Sequence, residues 1–355
     1  MTATTIDPAK LEAFVGQALV ELGATLNSAL VVMGDQLGLY KAMASSGPIT
    51  PLELSTQSGA AERYVREWLN AQAAGGYVTY DPETGRYTLP PEHAIVLTDE
   101  TSPYFLPGAF QLMTASVRDE PSITKAARTG AGFGWGEHSQ GVFDGCERFF
   151  EPGYANNLVG AWIPALDSVD AKLRAGASVA DIGCGHGAST QIMAKAYPNS
   201  RFAGFDLHGG SIARARESAA SSDAPDNIRF DLASAKDFPG RGYDLVCSFD
   251  SLHDMGDPVG VARHVRESLA PDGTWLIVEP FANDRIEDNL NPIGRIYYAA
   301  STLLCTPSSL SQEVGLALGA QAGETRLRQV ATDGGFTRFR RATETPFNLV
   351  LEAKP

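Results

Sequence analysis

Asp181, Gly183, Gly185, Gly187 and Asp206 have the types and spacing to do chemistry together. In SVADIGCGHG a short apolar run of strand character stops at Asp181, three glycines follow at alternate positions, and a helical pattern begins at once in ASTQIMAKAY. Glycines in such a strand-turn-helix let the backbone take positive φ and admit a ligand where a Cβ would block it. Asp206 closes the next apolar run, RFAGFD, where a carboxylate can accept hydrogen bonds from a ribose. Together these residues describe a nucleoside pocket. Gly183-Cys184-Gly185-His186-Gly187-Ala188 also satisfies the loose pattern G-x-G-x-x-G/A, so the glycines by themselves fit a nicotinamide dinucleotide as well as S-adenosylmethionine. Three features favour the second. Asp181 can hold a cationic amino group but would repel a pyrophosphate. The strands close after one set, without the second mononucleotide half that a dinucleotide needs. The order of polar strand ends further along also fits a methyl donor.

These residues need a scaffold, and from Ser178 onward strands and helices alternate: SVADI, RFAGFD, IRFDLAS, YDLVCSFD and TWLIVEP, with helical patterns between them. Such alternation predicts an α/β fold with a parallel sheet and helices on both faces. Ligands then bind beyond the carboxyl ends of the strands. The polar residues gather there: Asp181, Asp206, the stretch Ser234-Ala235-Lys236-Asp237, the stretch from Asp250 to His253, and Glu279. Any one of them could be a helix cap or a loop carboxylate. Five in register along one edge make a site. The segment from Phe281 to about Leu318 reads as an irregular insert that could cap the pocket, followed by a helix in TRLRQVATDGGF. TRFRRATE and FNLVLEAK read as a terminal hairpin turning at Thr345-Pro346.

Upstream, Asp7 to about Met43 reads as one helix, with Leu11, Phe14, Val15, Leu19, Leu22, Leu26 and Leu30 close to a 3.6 period. That apolar stripe needs a partner surface. ITPLELSTQSGA and AERYVREWLNAQAAGG read as two further helices, and YVTYDPETGRYTL as a hairpin turning near Glu83-Thr84-Gly85. Helix, turn, helix and hairpin describe a winged helix, a fold that often binds DNA. Here residues 1–100 carry five basic against twelve acidic side chains, and Arg63 and Arg66 are balanced by Glu62 and Glu67. A phosphate-tracking surface needs a basic excess, so dimerisation is the better reading. Residues 101–175 form a helical connector. Its aromatics Phe133, Trp135, Phe143, Phe149, Phe150 and Tyr154 suit both a domain junction and an apolar pocket.

The composition agrees. At 355 residues the chain is long enough for about two domains, and a formal charge of −14 speaks against nucleic acid as a partner. Cys146, Cys184, Cys247 and Cys305 are scattered without a C-x-x-C pair, so neither a zinc site nor a disulfide framework is expected. No signal-type N-terminus and no run of ~18 apolar residues is read, which predicts a cytoplasmic protein without a membrane anchor.

Through VADIGCGHG, FDLHGGSI, FDSLHDMGDP, VEP and FNLVLEA, the second half resembles the class I S-adenosylmethionine-dependent methyltransferases. The chain as a whole is similar to actinobacterial methyltransferases with an N-terminal winged-helix dimerisation domain, and more distantly to plant-type O-methyltransferases. The resemblance implies a Rossmann-like, seven-stranded sheet, parallel with a C-terminal antiparallel hairpin. It places a winged-helix domain at 1–100, the connector at 101–175 and the cofactor domain at 176–355, with a cap at about 281–318. It gives Asp181, Gly183 and Gly185 to the methionine part of the cofactor and Asp206 to both ribose hydroxyls. Where many relatives have Gly-Asp-Ala for the adenine, this chain has Ala233-Ser234-Ala235, so Ser234, backbone groups at Ala235 and Lys236, or Asp237 would serve instead. Asp250 is assigned to the same cofactor site. The resemblance of FDSLHDMGDP makes His253 the general base. A phenol of pKa near ~10 attacks a methyl group poorly until an imidazole near ~6.5 takes its proton. His208 and Glu279 are second-choice bases and His186 a helix-start residue. Tyr154, Tyr297 and Tyr298 are candidate substrate contacts. The expected activity is methyl transfer to a small, partly apolar acceptor, most simply on oxygen, by a homodimer. The alternatives are a donor-sensing winged-helix transcription regulator and an NAD-dependent oxidoreductase.

Overall fold

A computed structural model of the chain describes residues 6–220 and 225–355. It contains two compact units, Met1–Thr114 and Ala115–Pro355.

In the first unit, α1 (Pro8–Gln36) starts at Asp7, whose carboxylate accepts from the N–H groups of Ala9 and Lys10. The helix expected to reach Met43 is two helices. Gly38 takes a left-handed backbone, φ +66°, and the chain restarts as α2 (Leu39–Ser46). A capping box between Thr50 and Glu53 opens α3 (Pro51–Ser58), and α4 (Glu62–Ala74) follows. Strands β1 (Thr79–Asp81) and β2 (Arg86–Thr88) pair antiparallel as the wing, and α5 (Pro91–Thr98) and α6 (Pro107–Val117) come next. The core gathers Trp68, Leu69 and Val65 of α4 with Leu39, Tyr40 and Met43 of α2 and Val31 of α1. Each such fully buried side chain is worth about 1.5–3 kcal/mol. Buried Gln72 accepts from Tyr40 Oη at 2.6 Å and donates to Asn27 Oδ1 at 2.7 Å, while Trp68 Nε1 donates to Leu30 O. The second half of α1 is thereby fixed. Its first half exposes Leu11, Phe14, Val15, Leu19, Leu22 and Leu26. Contrary to the expectation of no membrane-length segment, α1 is long and apolar enough by composition to cross a bilayer. Alanines, valines and leucines lift its average although polar residues interrupt the run. On α4, Arg63 pairs with Glu67 and Arg66 with Glu62, so both cations of that helix are engaged along it.

The second unit begins with α7 (Glu120–Thr129) and α8 (Gln140–Asn157), which runs into a π turn at Leu158–Trp162, and then α9 (Val169–Ala175). Strands and helices alternate as β3 (Ser178–Ile182), α10 (Ala188–Ala196), β4 (Arg201–Asp206), α11 (Gly209–Ala219), β5 (Ile228–Leu232), β6 (Tyr243–Phe249), α12 (Pro258–Ser268) and β7 (Leu269–Pro280). The insert expected to be irregular is so at both ends but helical between residues 292 and 310: α13 (Pro292–Ala300), a π turn at Ser301–Cys305 and α14 (Thr306–Leu310). Helix α15 (Gly323–Asp333) leads to the hairpin of β8 (Arg338–Glu344) and β9 (Asn348–Lys354). The seven strands lie in the order β5-β4-β3-β6-β7-β9-β8, parallel except for the pairs made by β9. Side chains alternate across the sheet. Leu245 and Cys247 of β6 pack on one face with Trp162, Leu158 and Met193, and Val246 packs on the other with Val261, Val265 and Leu327. All five parallel strands therefore end at one edge.

Candidate active site

Asp181 is wholly buried at the end of β3, and its Oδ2 accepts from Ser189 Oγ and Thr190 Oγ1, both at 2.7 Å. Its Oδ1 is buried without a hydrogen-bond partner. Burial, then the nearby Asp206 carboxylate, push its pKa up to about 6. Gly183, Gly185 and Gly187 all have positive φ. A Cβ at Gly187 would lie 2.5 Å from the Phe230 ring, whereas one at Gly185 would meet nothing within 4 Å. Gly187 is thus needed by the packing, and Gly185 borders open space. The Gly183 and Cys184 N–H groups donate to Phe205 O, which ties the turn to β4.

Asp206 ends β4. Its Oδ2 accepts from Gly185 N at 2.9 Å and its Oδ1 from His208 N at 2.7 Å, while burial raises its pKa. Two backbone donors orient a carboxylate that keeps lone pairs for further partners. Leu207 and Leu232, at the ends of β4 and β5, are 63% and 60% exposed. Sequence reasoning missed these apolar flanks, although each directly follows or ends a strand at the edge already singled out. Ser234 Oγ accepts from Lys236 N, and Lys236 Nζ pairs with Asp257 and Glu313 at 2.8 and 3.1 Å. Ala233 and Ala235 pack against the core.

Beyond β6, Asp250 adopts φ +49°, an uncommon conformation for a residue with a Cβ. Tyr154 Oη donates to its Oδ2 at 3.1 Å and Asn348 Nδ2 to its Oδ1 at 3.2 Å. Burial and then Glu279 push its pKa up to about 7. Asp250 and Tyr154, assigned on sequence to cofactor and substrate, meet here. Asn348 was missed, yet the antiparallel course of β9 sets it beside Pro280, at the end of β7.

His253 lies in a single 3-10 turn, Leu252–Asp254, and is 4% exposed. Its Nδ1 faces Glu279 Oε2 at 2.5 Å, and Glu279 Oε1 accepts from Leu252 N at 2.9 Å. The carboxylate therefore fixes both the ring and the loop that carries it. Nδ1 carries the proton against Glu279, leaving Nε2 as the exchangeable position. Nε2 is 3.2 Å from Asp254 Oδ1. Burial opposes a charged ring, but the carboxylates of Glu279 and Asp254 outweigh it and hold the His253 pKa well above the usual imidazole value. Cys305, brought in by its π turn, completes this corner. Its arrival had no signal in the sequence.

The other candidates make contacts around the same edge. His208 caps α11 through Ser211 and stacks on Phe143 at 4.5 Å. His186 faces Glu147 of α8 at 2.8 Å, tying the glycine turn to that helix. Tyr297 Oη donates to Phe347 O, and Tyr298 is half-buried on α13.

Residues 25–99 match the family described as Rv2258c-like winged HTH domain, and residues 173–314 match that described as methyltransferase domain. A 139-residue stretch is 34% identical to 27-O-demethylrifamycin SV methyltransferase of Amycolatopsis mediterranei, covering 37% of this chain and 51% of that protein. Acetylserotonin O-methyltransferase of Mus musculus is 29% identical over 182 residues, 50% of this chain and 43% of its own length. The chain thus spans about half the length of these curated relatives. Among solved structures, the mitomycin 7-O-methyltransferase MmcR aligns at TM-score 0.70 and 20% identity over 98% of this chain and 100% of its own. Human N-acetylserotonin methyltransferase in complex with SAM aligns at 0.70 and 17%, over 100% and 99%. The glycine turn, Asp206 and the His253 loop all lie within the second matched region, and the chain is built of a winged helix-turn-helix domain followed by a domain of the methyltransferase family.

Proposed function

We propose that this chain transfers a methyl group from S-adenosylmethionine to a hydroxyl oxygen of a small, partly apolar acceptor. The observation that carries this reading is one sheet edge on which the Asp181, Gly185 and Asp206 cradle adjoins a buried His253–Glu279 pair. The cradle suits the cofactor. The unpartnered Oδ1 of Asp181 can accept from an amino group, the open space at Gly185 leaves room for the donor, and Asp206 can accept from ribose hydroxyls. A single parallel half with a C-terminal antiparallel hairpin supports a methyl donor over a dinucleotide.

When bound, S-adenosylmethionine supplies a methyl group on a positively charged sulfur. Asp181 and Asp206 hold and orient the two ends of the donor, which aligns the reactants for in-line displacement. His253 Nε2, once it has lost its own proton, takes the acceptor's proton as the oxygen forms its bond to carbon. Glu279 keeps the ring turned and stabilises the imidazolium that results. Tyr154, Phe150 and Phe249, whose rings pack together, and Tyr297 supply an apolar wall on the acceptor side.

The same reading makes the protein a homodimer through its N-terminal unit. Leu11, Phe14, Val15, Leu19, Leu22 and Leu26 are exposed along one side of α1, and Lys10, Gln17, Glu21 and Ser28 form a polar strip beside them. An exposed apolar surface of this extent favours a protein partner. Four free thiols support a cytoplasmic location.

Calorimetry tests the cofactor. S-adenosylmethionine should bind and a nicotinamide dinucleotide should not, and Asp206→Ala should weaken donor binding by about 1.5 kcal/mol or more. Donor affinity unchanged in that variant would falsify the site.

A further inference from the structure

His253, Asp254 and Cys305 bring a nitrogen, an oxygen and a sulfur together, each ligand atom within 4.8 Å of the other two. They come from separate places, the 3-10 turn after β6 and the π turn after α13. Two further observations point to an ion. Asp254 Oδ1 is buried and makes no hydrogen bond, although it lies 3.2 Å from His253 Nε2. Donors about 2.0–2.1 Å from a tetrahedral ion stand about 3.3 Å apart, which matches that separation. Behind the ring, Glu279, only 2% exposed, accepts from Nδ1. A carboxylate on the far nitrogen is the arrangement that orients a metal-ligating histidine. The mixed N, O and S set suits zinc or cobalt and not magnesium or calcium.

We propose that His253, Asp254 and Cys305 bind one zinc-class divalent ion, with a fourth position open, and that the bound ion silences His253 as a base. Binding forms one bond each to nitrogen, oxygen and sulfur, displaces three water ligands from the hydrated ion, and releases to solvent the Cys305 thiol proton and the proton that His253 Nε2 carries in its charged form. The Nε2 lone pair is then held by the ion and none remains for an acceptor proton. The silencing rests on the methyl-transfer reading above, but the binding does not.

The test is titration of the chelator-stripped chain with Co²⁺ alone, without any methyl acceptor. One equivalent should bind with the visible bands of a tetrahedral ion and a near-ultraviolet thiolate-to-cobalt band, and Zn²⁺ should displace it. Cys305→Ser should remove the thiolate band, and Glu279→Gln should weaken binding by about 10- to 100-fold. Asp254→Asn, nearly isosteric, should weaken it by at least about tenfold and serves if the cysteine variant does not fold. No uptake, an octahedral spectrum, unchanged affinity in Asp254→Asn, or a thiolate band that persists in Cys305→Ser and disappears in Cys146→Ser would each overturn the proposal. Tight Co²⁺ binding by a chain whose chelator-stripped form neither binds S-adenosylmethionine nor transfers a methyl group would sink the enzymatic reading and leave the ion site standing.

Discussion

Glu279 holds His253 from two directions, by accepting from its ring and from the backbone of the preceding residue. The same contact keeps a proton on the ring to higher pH than usual, so a base-dependent reaction must wait for that proton to leave. Turnover on a hydroxyl acceptor should therefore rise with pH beyond the ordinary imidazole range. His253→Ala should lower it by ~10²-fold or more at unchanged donor affinity, and Glu279→Gln should move the acidic limb of the pH–rate profile downward. Equal turnover in His253→Ala would mean that the acceptor needs no base. The buried carboxyls bear on stability as well. Asp181, pushed up to about 6, and Asp250, pushed up to about 7, hold protons in the folded chain that the unfolded chain has already lost. Stability contributed by these protons is present below the unfolded pKa and falls as pH rises through the folded values. His253 acts in the same direction at higher pH, because its folded value is also raised. Without cofactor, Tm should decline between about pH 5 and pH 8; a scan showing a rise across that interval would contradict these assignments. Asp206 and His253 were visible in the sequence as residue types at strand ends. The Asp250 partners were not, because Tyr154 and Asn348 lie 96 and 98 positions away.

The strand-turn-helix of β3, the glycines and α10 separates two uses of glycine. Gly187, at φ +83°, faces the Phe230 ring and is required by packing; Gly185, at φ +54°, faces open space. Gly187→Ala should thus cost stability, by roughly 1–3 kcal/mol from strain and overpacking together, and lower Tm clearly. Gly185→Ala should cost less in Tm but weaken donor binding by tenfold or more, as read by calorimetry. Wild-type donor affinity in Gly185→Ala would show that the open space is not the donor's. This element was legible because its signals are local: an apolar run, residues free to take positive φ, and an amphipathic start. The insert after β7 was not. Its α13, π turn and α14 contain Gly294, Pro307 and several serines, which weaken the helical pattern, and the segment is held by distant loops, Tyr297 on Phe347 and Ser309 on Met255. The break at Gly38 was missed for the opposite reason. The apolar period continues across it while the backbone turns.

At the scale of the molecule, the exposed stripe on α1 is too apolar to be left in water without consequence. If a second copy covers it, Leu19→Glu combined with Leu26→Glu should convert a dimer to a monomer in sedimentation, while donor binding by the second unit is retained. A wild-type chain that is monomeric and floats with lipid vesicles would assign the stripe to a membrane instead. The charge of −14 and the intrahelical pairing of Arg63 and Arg66 speak against DNA on α4, and a salt-sensitive shift of duplex DNA would reverse that view.

The α/β alternation, the winged-helix order, the glycine cradle and the line of strand ends follow from the sequence by itself. Each depends on hydrophobic period and turn chemistry within about a dozen residues. Only the tertiary structure decided what those ends do to one another. It turned His253 onto Glu279, set Tyr154 and Asn348 on Asp250, and brought Cys305 to Asp254. The physical reason is that a parallel sheet delivers distant segments to a common edge. Which side chains meet there is set by strand order, by the reversed course of β9 and by single 3-10 and π turns, none of which leaves a period in the chain.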